Sequence, residues 1–331
     1  METRMLDEWD QIGPASEPGA CNVRLADSSH PFDFRIGKNF RSKYVFQIDA
    51  LCSPELKKSV PKLTGIDCSF EPIANDRFRL SITLGDPADF RNFRLMCIGL
   101  MLATDNLSPL QSDRGMIVVL DELRRWQDML RQRRERLLAR TEIIGLVGEL
   151  LFLRDILVPR FGILSALRCW IGHEGHEQDF VVGGTIFEVK TQLVTADRRI
   201  RISSEDQLDP VQGRIFICNQ GIAPLPTTDP ESRTLNVLVS EIRSLATDYG
   251  HSTADLLEIA LLNARYEWKD EYDEEAWILV DRSLYAVIGD FPRIERNDLR
   301  AGVELVTYSI RVADCEQYRV NLEETISEIA A

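Results

Sequence analysis

Several common signatures are missing from this chain of 331 residues, and each absence excludes a class of protein. The seven cysteines form no C-x-x-C pair, so neither a zinc knuckle nor a disulfide framework is indicated. No apolar run approaches the roughly 20 residues of a membrane span, and the first residues lack the apolar core of a secretory signal. The motifs of P-loop ATPases, nucleophile-elbow hydrolases and zincins are also absent. We therefore expect a soluble, reduced, cytoplasmic protein with no membrane association.

Histidine is scarce, with four residues in the chain. His173 and His176 stand three apart, a spacing that a metal site can use. Two loop histidines without an evident third ligand are more often surface residues, so a zinc site is only the alternative interpretation. The acidic run 269–275 lacks the glycine and the ligand spacing of an EF-hand, which favours a solvated loop over a calcium site.

The chain also lacks the positive charge of a typical nucleic-acid-binding protein, since its net charge is −14 and its pI is about 4.9. The charge is nevertheless uneven, because residues 124–140 contain seven arginines against two acids, a balance of +5. Such a segment is either a solvated helix face paired with the surplus acids or a set of phosphate contacts. At helical spacing one side of it presents Arg133, Arg136 and Arg140, and a second cluster consists of Arg198, Arg199 and Arg201.

The most informative segment runs from Asp179 to Lys190, with the sequence DFVVGGTIFEVK. Its apolar residues predict two strands, and Gly183-Gly184 favours a tight hairpin between them. The hairpin would return the chain so that Glu188 comes beside Asp179. Because successive strand residues point to opposite faces, Glu188 and Lys190 would share one face.

Two carboxylates held this close predict a divalent cation, because adjacent carboxylates repel one another unless a positive charge neutralises them. Oxygen ligands suit Mg²⁺, with Mn²⁺ as a substitute, rather than a soft metal. A lysine one pleat away would orient or activate a water, or stabilise charge on a phosphate. This arrangement is typical of a metal-dependent phosphodiesterase. The alternative is a set of solvated charges on a half-exposed hairpin, since the spacing D-x8-E-x-K also recurs by chance.

Upstream of the hairpin, the apolar spacing over 142–154 predicts a largely buried helix. Gly145 and Gly148 each cost such a helix about 1 kcal/mol relative to alanine, which indicates close backbone approach to the sheet. Glu149 lies amid leucines and a phenylalanine, where a carboxylate needs a partner. An exposed glutamate on an amphipathic helix is the alternative.

Downstream, Arg199–Ser203 alternates charged and β-branched residues, as an amphipathic strand does. Ser203 or Ser204 would then cap a short helix with acidic residues in its first turn. Gln207 of that helix would lie near the end of the sheet that contains Lys190. The run 213–218 predicts a further buried strand.

The predicted order is thus helix, strand, strand, strand, short helix, strand. In motif and in element order the chain resembles the PD-(D/E)XK nuclease superfamily, and it is similar to the bacterial PD-(D/E)XK motif proteins of restriction and phage-defence loci. It departs from the superfamily's motif at one position, because Gln178 precedes Asp179 where the motif has a proline. Trp170 is interpreted as a core anchor, with a base-stacking platform as the alternative. The matching segments are Gly148–Leu153, Trp170-x-Gly172, Asp179-Phe180, Phe187–Thr191, Ile202–Leu208 and Phe291–Ile294.

The resemblance implies a role for each residue of the motif. Asp179 and Glu188 would bind the metal, with the main-chain carbonyl of Val189 as a third oxygen ligand. Lys190 would position or deprotonate the attacking water, and Glu149 would complete the metal shell directly or through water. One or two Mg²⁺ ions would act as Lewis acid and generate the nucleophile. The implied catalytic residues are Glu149, Asp179, Glu188, Lys190 and, as an auxiliary polar group, Gln207.

The expected fold class is α/β, of the α+β kind, with a restriction-endonuclease-like core of order α-β-β-β-α-β. Residues 1–106 would form a mostly β domain, because 45–49, 78–84 and 90–98 mix strand-like alternation with turns. Residues 107–225 would hold a long helix, about 113–157, and the core. Residues 226–331 would form an α/β extension. Its predicted helices are 235–246 and 253–264, and its predicted strands are 276–280, 284–288 and 306–312.

Two functions are consistent with this pattern. The first is a Mg²⁺-dependent endonuclease that hydrolyses DNA within a bacterial restriction or anti-phage system, with partner proteins from the same operon. The second is a nuclease-fold DNA-binding or scaffold subunit without catalysis. The complete set of acids and lysine favours the enzyme, whereas the acidic surface suggests a partner that delivers the DNA. A homodimer and an RNA or nicked substrate stay open.

Overall fold

The computed structural model describes residues 6–74, 76–132, 137–171, 178–208 and 213–330. The chain divides into two compact units, residues 1–136 and 137–331. The boundaries predicted after residues 106 and 225 do not coincide with this division. The helix that follows residue 106 packs within the first unit, and the segment after 225 shares a sheet with the second.

The first unit consists of a five-stranded antiparallel sheet and two helices, α1 and α2, that pack on each other. The strand order is β1-β2-β3-β5-β4, and phenylalanine and isoleucine side chains of β2 and β3 are fully buried. The elements are β1 Cys21–Leu25, β2 Phe34–Asn39, β3 Tyr44–Leu51, β4 Ile66–Ala74, β5 Arg77–Leu84, α1 Phe90–Thr104 and α2 Ser112–Gln132.

The segment 90–98 is helical, so the prediction of strand-like structure there was wrong. Asp86 accepts a hydrogen bond from the Ala88 N–H, and Pro87 begins a 3-10 turn that continues directly into α1. The alternation of charged and apolar residues concealed a helical spacing that only the complete helix shows. Its buried residues include Phe93, Met96, Cys97, Leu100 and Met101.

The second unit contains a five-stranded mixed sheet with strand order β12-β10-β9-β7-β6, in which β7 and β9 are parallel. A separate two-stranded sheet pairs β8 with β11. The elements are α3 Arg140–Phe152, α4 Val158–Cys169, β6 Phe180–Val182, β7 Thr185–Leu193, β8 Arg199–Ile202, β9 Arg214–Leu225, α5 Leu235–Tyr249, α6 His251–Asn263, β10 Ala276–Ala286, β11 Tyr308–Arg311, α7 Val312–Cys315, β12 Arg319–Val320 and α8 Leu322–Ala330.

The five-stranded mixed sheet of the second unit is covered on both faces. One face presents Phe187 and Val189 to a core that includes α3, α4, α5 and α6. The other presents Ile186 to a smaller core that includes Ile200 of β8 and Ile310 of β11. The period of two along β7 therefore separates a helical layer from a β layer. The protein is a mixed α/β protein, as expected from the sequence.

One predicted helix and two predicted strands differ in extent from the observed elements. The helix expected over 113–157 is interrupted, because Ala139 has an extended backbone with ψ 153° and α3 begins after it. A π-helical turn, Leu153–Leu157, joins α3 to α4. The two strands expected at 276–280 and 284–288 are one strand, β10, with an irregularity between Leu279 and Asp281. No helix among the described residues is both long and apolar enough to cross a bilayer.

Candidate active site

The predicted hairpin is present, with β6 and β7 joined at Gly183-Gly184. Both glycines have left-handed backbone, with φ of 56° and 80°, which a two-residue hairpin of this type requires. Phe180 pairs with Phe187, so the preceding residue, Asp179, comes opposite Glu188. The local turn chemistry thus brings together two acids that are nine residues apart in the chain.

Asp179 is fixed by the backbone of the neighbouring strand. Its Oδ2 accepts a 2.7 Å hydrogen bond from the Val189 N–H. Because the N–H and C=O of a strand residue point in the same direction, the Val189 carbonyl also faces the Asp179 side of β7. A carboxylate and a backbone carbonyl therefore lie on one edge of the strand, next to Glu188.

Glu188 and Lys190 share the sheet face opposite Val189, as the pleat requires. Glu188 is 1% exposed, and its Oε1 lies 2.7 Å from Lys190 Nζ. The second oxygen, Oε2, is buried and accepts no hydrogen bond within the part of the chain that the structure describes. A buried carboxylate oxygen without a partner is costly and rare, so this atom is a candidate ligand for a cation.

Gln207 approaches Lys190 from the β8 side. Its Oε1 accepts from Lys190 Nζ at 3.2 Å and from the Ser203 N–H at 2.9 Å. The predicted short helix is a 3-10 turn, Glu205–Leu208. The buried Glu205 of this turn accepts from the backbone N–H groups of Leu305 and Val306, at 3.3 and 2.8 Å. The segment before β11 therefore holds the turn in place.

Glu149 lies on α3, half-buried, and its Oε2 accepts a 2.7 Å hydrogen bond from the Trp170 indole. Trp170 is 1% exposed and stacks on Phe180, so its ring belongs to the core while its N–H serves the carboxylate. A Cβ at Gly148 would overlap Thr191 Oγ1 on β7, whereas a Cβ at Gly145 would meet nothing within 4 Å. The predicted close approach to the sheet therefore exists at Gly148 but not at Gly145.

Burial raises the pKa of all three carboxyl groups, and the charge of Asp179 adds to the rise at Glu149 and Glu188. Burial, reinforced by the charge of Asp179, raises the pKa of Glu149 to about 8, although the Trp170 donor opposes the shift. Burial raises the pKa of Asp179 to about 6 against the lowering effects of Lys190 and the Val189 N–H. Burial and the Asp179 charge raise the pKa of Glu188 well above its usual value. An added cation would relieve this repulsion.

These residues fit a hard divalent cation. Asp179, Glu188 and the Val189 carbonyl supply oxygen atoms, the ligand type that Mg²⁺ and Mn²⁺ prefer, and Mg²⁺ usually keeps several waters beside one or two carboxylates. Among the described residues, no three histidine, cysteine, aspartate or glutamate side chains are grouped to hold a metal ion. The set is thus two acids and a carbonyl, with Glu149 tied to Trp170.

A buried polar pair behind the site was not predicted. Gln220 of β9 is fully buried, and its Nε2 donates to the Gly148 carbonyl at 2.8 Å. Its Oε1 accepts from Arg282 Nε of β10 at 2.8 Å. This pair ties the Glu149 helix to two central strands. The signal in the sequence is Asn219-Gln220, two amides inside an apolar run from 215 to 222.

The arginines proposed for phosphate contacts lie in different surroundings. Exposed Arg140 pairs with Glu275 at 2.8 Å, and exposed Arg198 pairs with Asp281 at 3.1 Å. Arg199 and Arg201 are exposed on the outer side of β8, and Arg199 pairs with Asp197 at 2.7 Å. Arg133 and Arg136, like His173 and His176, lie outside the described residues.

The fold and the site together define a mixed α/β protein with paired acids and a lysine on a hairpin at the edge of a mixed sheet. A family model described as "Putative PD-(D/E)XK family member, (DUF4420)" matches residues 5–313. The chain belongs to this family, and the resemblance to the PD-(D/E)XK superfamily is confirmed. No curated protein and no solved structure gives a match.

Proposed function

We propose that this protein is a metal-dependent endonuclease that hydrolyses phosphodiester bonds of DNA. The observation that supports the proposal most is the buried, unpartnered Oε2 of Glu188 beside Asp179 and Lys190. A protein with no use for a cation would leave this oxygen unsatisfied at a cost of about 1–3 kcal/mol. Membership of the PD-(D/E)XK family independently indicates a nuclease-type function.

The second unit supports a restriction-endonuclease-like core. Its elements follow the chain order α3, α4, β6, β7, β8, a 3-10 turn and β9, which is the order expected of that core with α4 inserted after the first helix. In this assignment β6 and β7 are the hairpin of the motif, and α3 is the core helix that supplies Glu149. β8 pairs with β11 in a separate two-stranded sheet, so it lies outside the five-stranded sheet that contains the hairpin.

The protein's own groups would perform three tasks. Asp179, Glu188 and the Val189 carbonyl would hold the cation, and Glu149 would join them directly or through water. When bound, Mg²⁺ or Mn²⁺ supplies Lewis-acid stabilisation of the phosphate and lowers the pKa of a water. Lys190, hydrogen-bonded to Gln207, would orient the attacking water and stabilise negative charge on the phosphate.

The DNA backbone would be bound by surface arginines. Arg199 and Arg201 project from β8, whose end at Ile202 leads to the Ser203 N–H that holds Gln207. A strand that entered along this surface would reach Lys190. Arg140 and Arg198, and Arg133 and Arg136 beyond the described residues, are the other proposed phosphate contacts. The net charge of −14 supports a partner protein that brings the DNA, as in a restriction or anti-phage system of the cytoplasm.

The proposal is tested by cleavage of plasmid, linear and single-stranded DNA in Mg²⁺ and in Mn²⁺. Asp179→Asn and Lys190→Met are nearly isosteric, and each should lower the cleavage rate by roughly 10²–10⁴-fold, the usual contribution of one positioned catalytic group. Lys269→Met and Asp270→Asn change exposed residues of the same types and should cut like wild type.

Calorimetric Mn²⁺ binding separates the remaining outcomes. An uncut substrate with Mn²⁺ binding that Asp179→Asn abolishes would indicate an enzyme that requires its partner. Cleavage that persists in both variants would contradict the residue assignment. An inert protein that binds no Mn²⁺ would contradict the proposal and favour a scaffold with a nuclease fold.

A further inference from the structure

A cavity lies on the same face of the sheet as Lys190, and Asn219, the neighbour of Lys190 on β9, lines it. In the parallel ladder Lys190 pairs with Asn219 of β9, which pairs in turn with Ser283 of β10. Paired residues of neighbouring strands project to one face, and the strands are about 4.8 Å apart. Asn219 and Ser283 therefore continue the row that the lysine begins. The next row holds Gln192 and Gly221.

The cavity has a volume of about 110 Å³. One water molecule, which has one non-hydrogen atom, needs roughly 10–15 Å³ of cavity volume. The cavity therefore accommodates about seven to eleven non-hydrogen atoms. Gly221 keeps this space open, because a Cβ there would lie 2.6 Å from Asp281 Oδ1 and 3.0 Å from Val194 Cγ1. The size is that of one heterocyclic ring with its substituents.

The floor of the cavity offers hydrogen bonds. Asn219 is 6% exposed, and the one hydrogen bond of its side chain among the described residues is the 3.3 Å bond that its Oδ1 accepts from Gln192 Nε2. Among the described residues, its amino group and the Gln192 Oε1 have no hydrogen-bond partner, so the cavity offers one donor and one acceptor. A nucleobase edge presents the complementary donor and acceptor.

The charges at the cavity cancel. Arg198 pairs with Asp281 at 3.1 Å, and Arg319 pairs with Glu316 at 3.4 Å. The cavity therefore has no net charge to attract an anion or a free cation. Its hydrogen-bonding groups suit a neutral heterocycle. The buried Tyr285 supplies an aromatic wall, and its hydroxyl is held by a 2.8 Å hydrogen bond to Glu316 Oε1.

We propose that this cavity binds one nucleobase of the strand that is cleaved, extruded from the stack next to the scissile phosphate. Enzymes that read a base this way hold its edge by hydrogen bonds and its face by aromatic or apolar side chains, and both are present. The inference rests on the proposed nuclease function, because it places the phosphate at Lys190.

The first test uses DNA duplexes with a single abasic site, moved one position at a time across the cut. Wild type should cut about tenfold more slowly when the abasic site removes the bound base, which is within the range for one lost base contact. Asn219→Leu should cut slowly and be indifferent to the abasic site. Ser283→Leu fills the cavity and should behave in the same way, whereas Ser283→Ala leaves it open and should retain the abasic effect.

Mn²⁺ affinity and the thermal midpoint should be unchanged in these variants, which shows that the metal residues and the fold are intact. If wild type cuts DNA but no abasic position matters, or if Ser283→Leu cuts like wild type, the base pocket is overturned while the nuclease proposal stands.

A second test needs no cleavage, so failure of the nuclease proposal can be recognised separately. DNA that contains 2-aminopurine should fluoresce more strongly when wild type extrudes that base, and Ser283→Leu should abolish the increase. If wild type does not cut but this increase is seen, the pocket stands without the nuclease. The absence of an increase at every labelled position overturns the pocket.

Discussion

Trp170 Nε1 donates a 2.7 Å hydrogen bond to Glu149 Oε2, although the two residues lie 21 positions apart in the chain. The indole thereby stabilises the charged form of a carboxylate whose pKa burial raises to about 8. A core tryptophan thus orients a proposed metal-shell acid and opposes the rise of its pKa.

Trp170→Phe keeps the aromatic ring and removes the donor. The pKa of Glu149 should then rise further, so less of the carboxylate is charged at neutral pH. Mn²⁺ affinity should fall about tenfold, as it does when outer partners of metal ligands are lost. Isothermal calorimetry measures the affinity, and the deficit should shrink as the pH is raised.

Trp277→Phe is the matched control. Trp277 is 3% exposed, and its indole N–H has no hydrogen-bond partner among the described residues. It should therefore change Mn²⁺ affinity little. Equal affinities for the Trp170 variant and wild type would show that the indole contributes packing alone.

Gly148→Ala should destabilise the protein by about 1–3 kcal/mol, because the new Cβ overlaps Thr191 Oγ1 and forces α3 from the sheet. Gly145→Ala has nothing within 4 Å and should stabilise the helix by up to about 1 kcal/mol. Denaturant unfolding of both variants checks the sign of each change. Two stabilised variants would mean that the helix and β7 are not in close contact.

The metal-free protein should lose stability as the pH rises. The pKa of Asp179 is raised from 3.8 to about 6, and that of Glu149 from 4.5 to about 8. The folded protein therefore holds these protons more tightly than the unfolded chain. The resulting stabilisation is complete below the unfolded pKa values and is lost through about pH 6 and pH 8. Calorimetric scans in EDTA should show a loss of roughly 5 kcal/mol between pH 5 and pH 9.

Asp179→Asn should flatten the part of this profile that lies between about pH 4 and pH 6, and saturating Mn²⁺ should flatten the rest. Asp248→Asn, at an exposed position of α5, is the control and should leave the profile unchanged. A metal-free profile that rises with pH over this range would be inconsistent with buried, mutually repelling acids.

Arg201→Ala should weaken DNA binding and lower the slope of log K against log salt by about one, since each neutralised phosphate contributes about 0.9. Arg201 is exposed on β8, opposite Ser309 of β11. Arg160→Ala is the control: it removes an exposed arginine of α4 that pairs with Glu323 of α8. This variant should leave the slope unchanged. Equal slopes for Arg201→Ala and wild type would remove β8 from the proposed DNA surface.

The hairpin with Asp179, Glu188 and Lys190 could be predicted because its determinants are local. A glycine pair sets the turn, and the pleat then sets which side chains share a face. The close approach at Gly148 could be inferred from its cost to a helix. The same argument failed at Gly145, because a glycine signals close contact only when something lies beside it.

The partners that complete the site could not be read from the sequence. The Trp170 donor and the Gln220–Arg282 pair depend on how α3 packs on the sheet, which no local pattern specifies. The helix Phe90–Thr104 was missed because its mixture of basic and apolar residues was interpreted as strand-like, although the phenylalanines and the arginines at its start each recur three residues apart. The pairing of β8 with β11 joins segments about a hundred residues apart, beyond the reach of periodicity.

The long separation in sequence between the β8 region and the segment before β11 determines when the proposed active site is completed during synthesis. Glu149, Asp179, Glu188, Lys190 and Gln207 are all translated before residue 208. The backbone N–H groups that donate hydrogen bonds to Glu205, and so hold the turn that contains Gln207, lie 100 and 101 residues after Glu205. Closing so long a loop carries an entropic cost that grows with its length. A nascent chain that ends before residue 305 therefore contains every residue of the motif but lacks the backbone groups that hold the turn of Gln207. Full assembly of the site consequently requires translation of the segment 305–311.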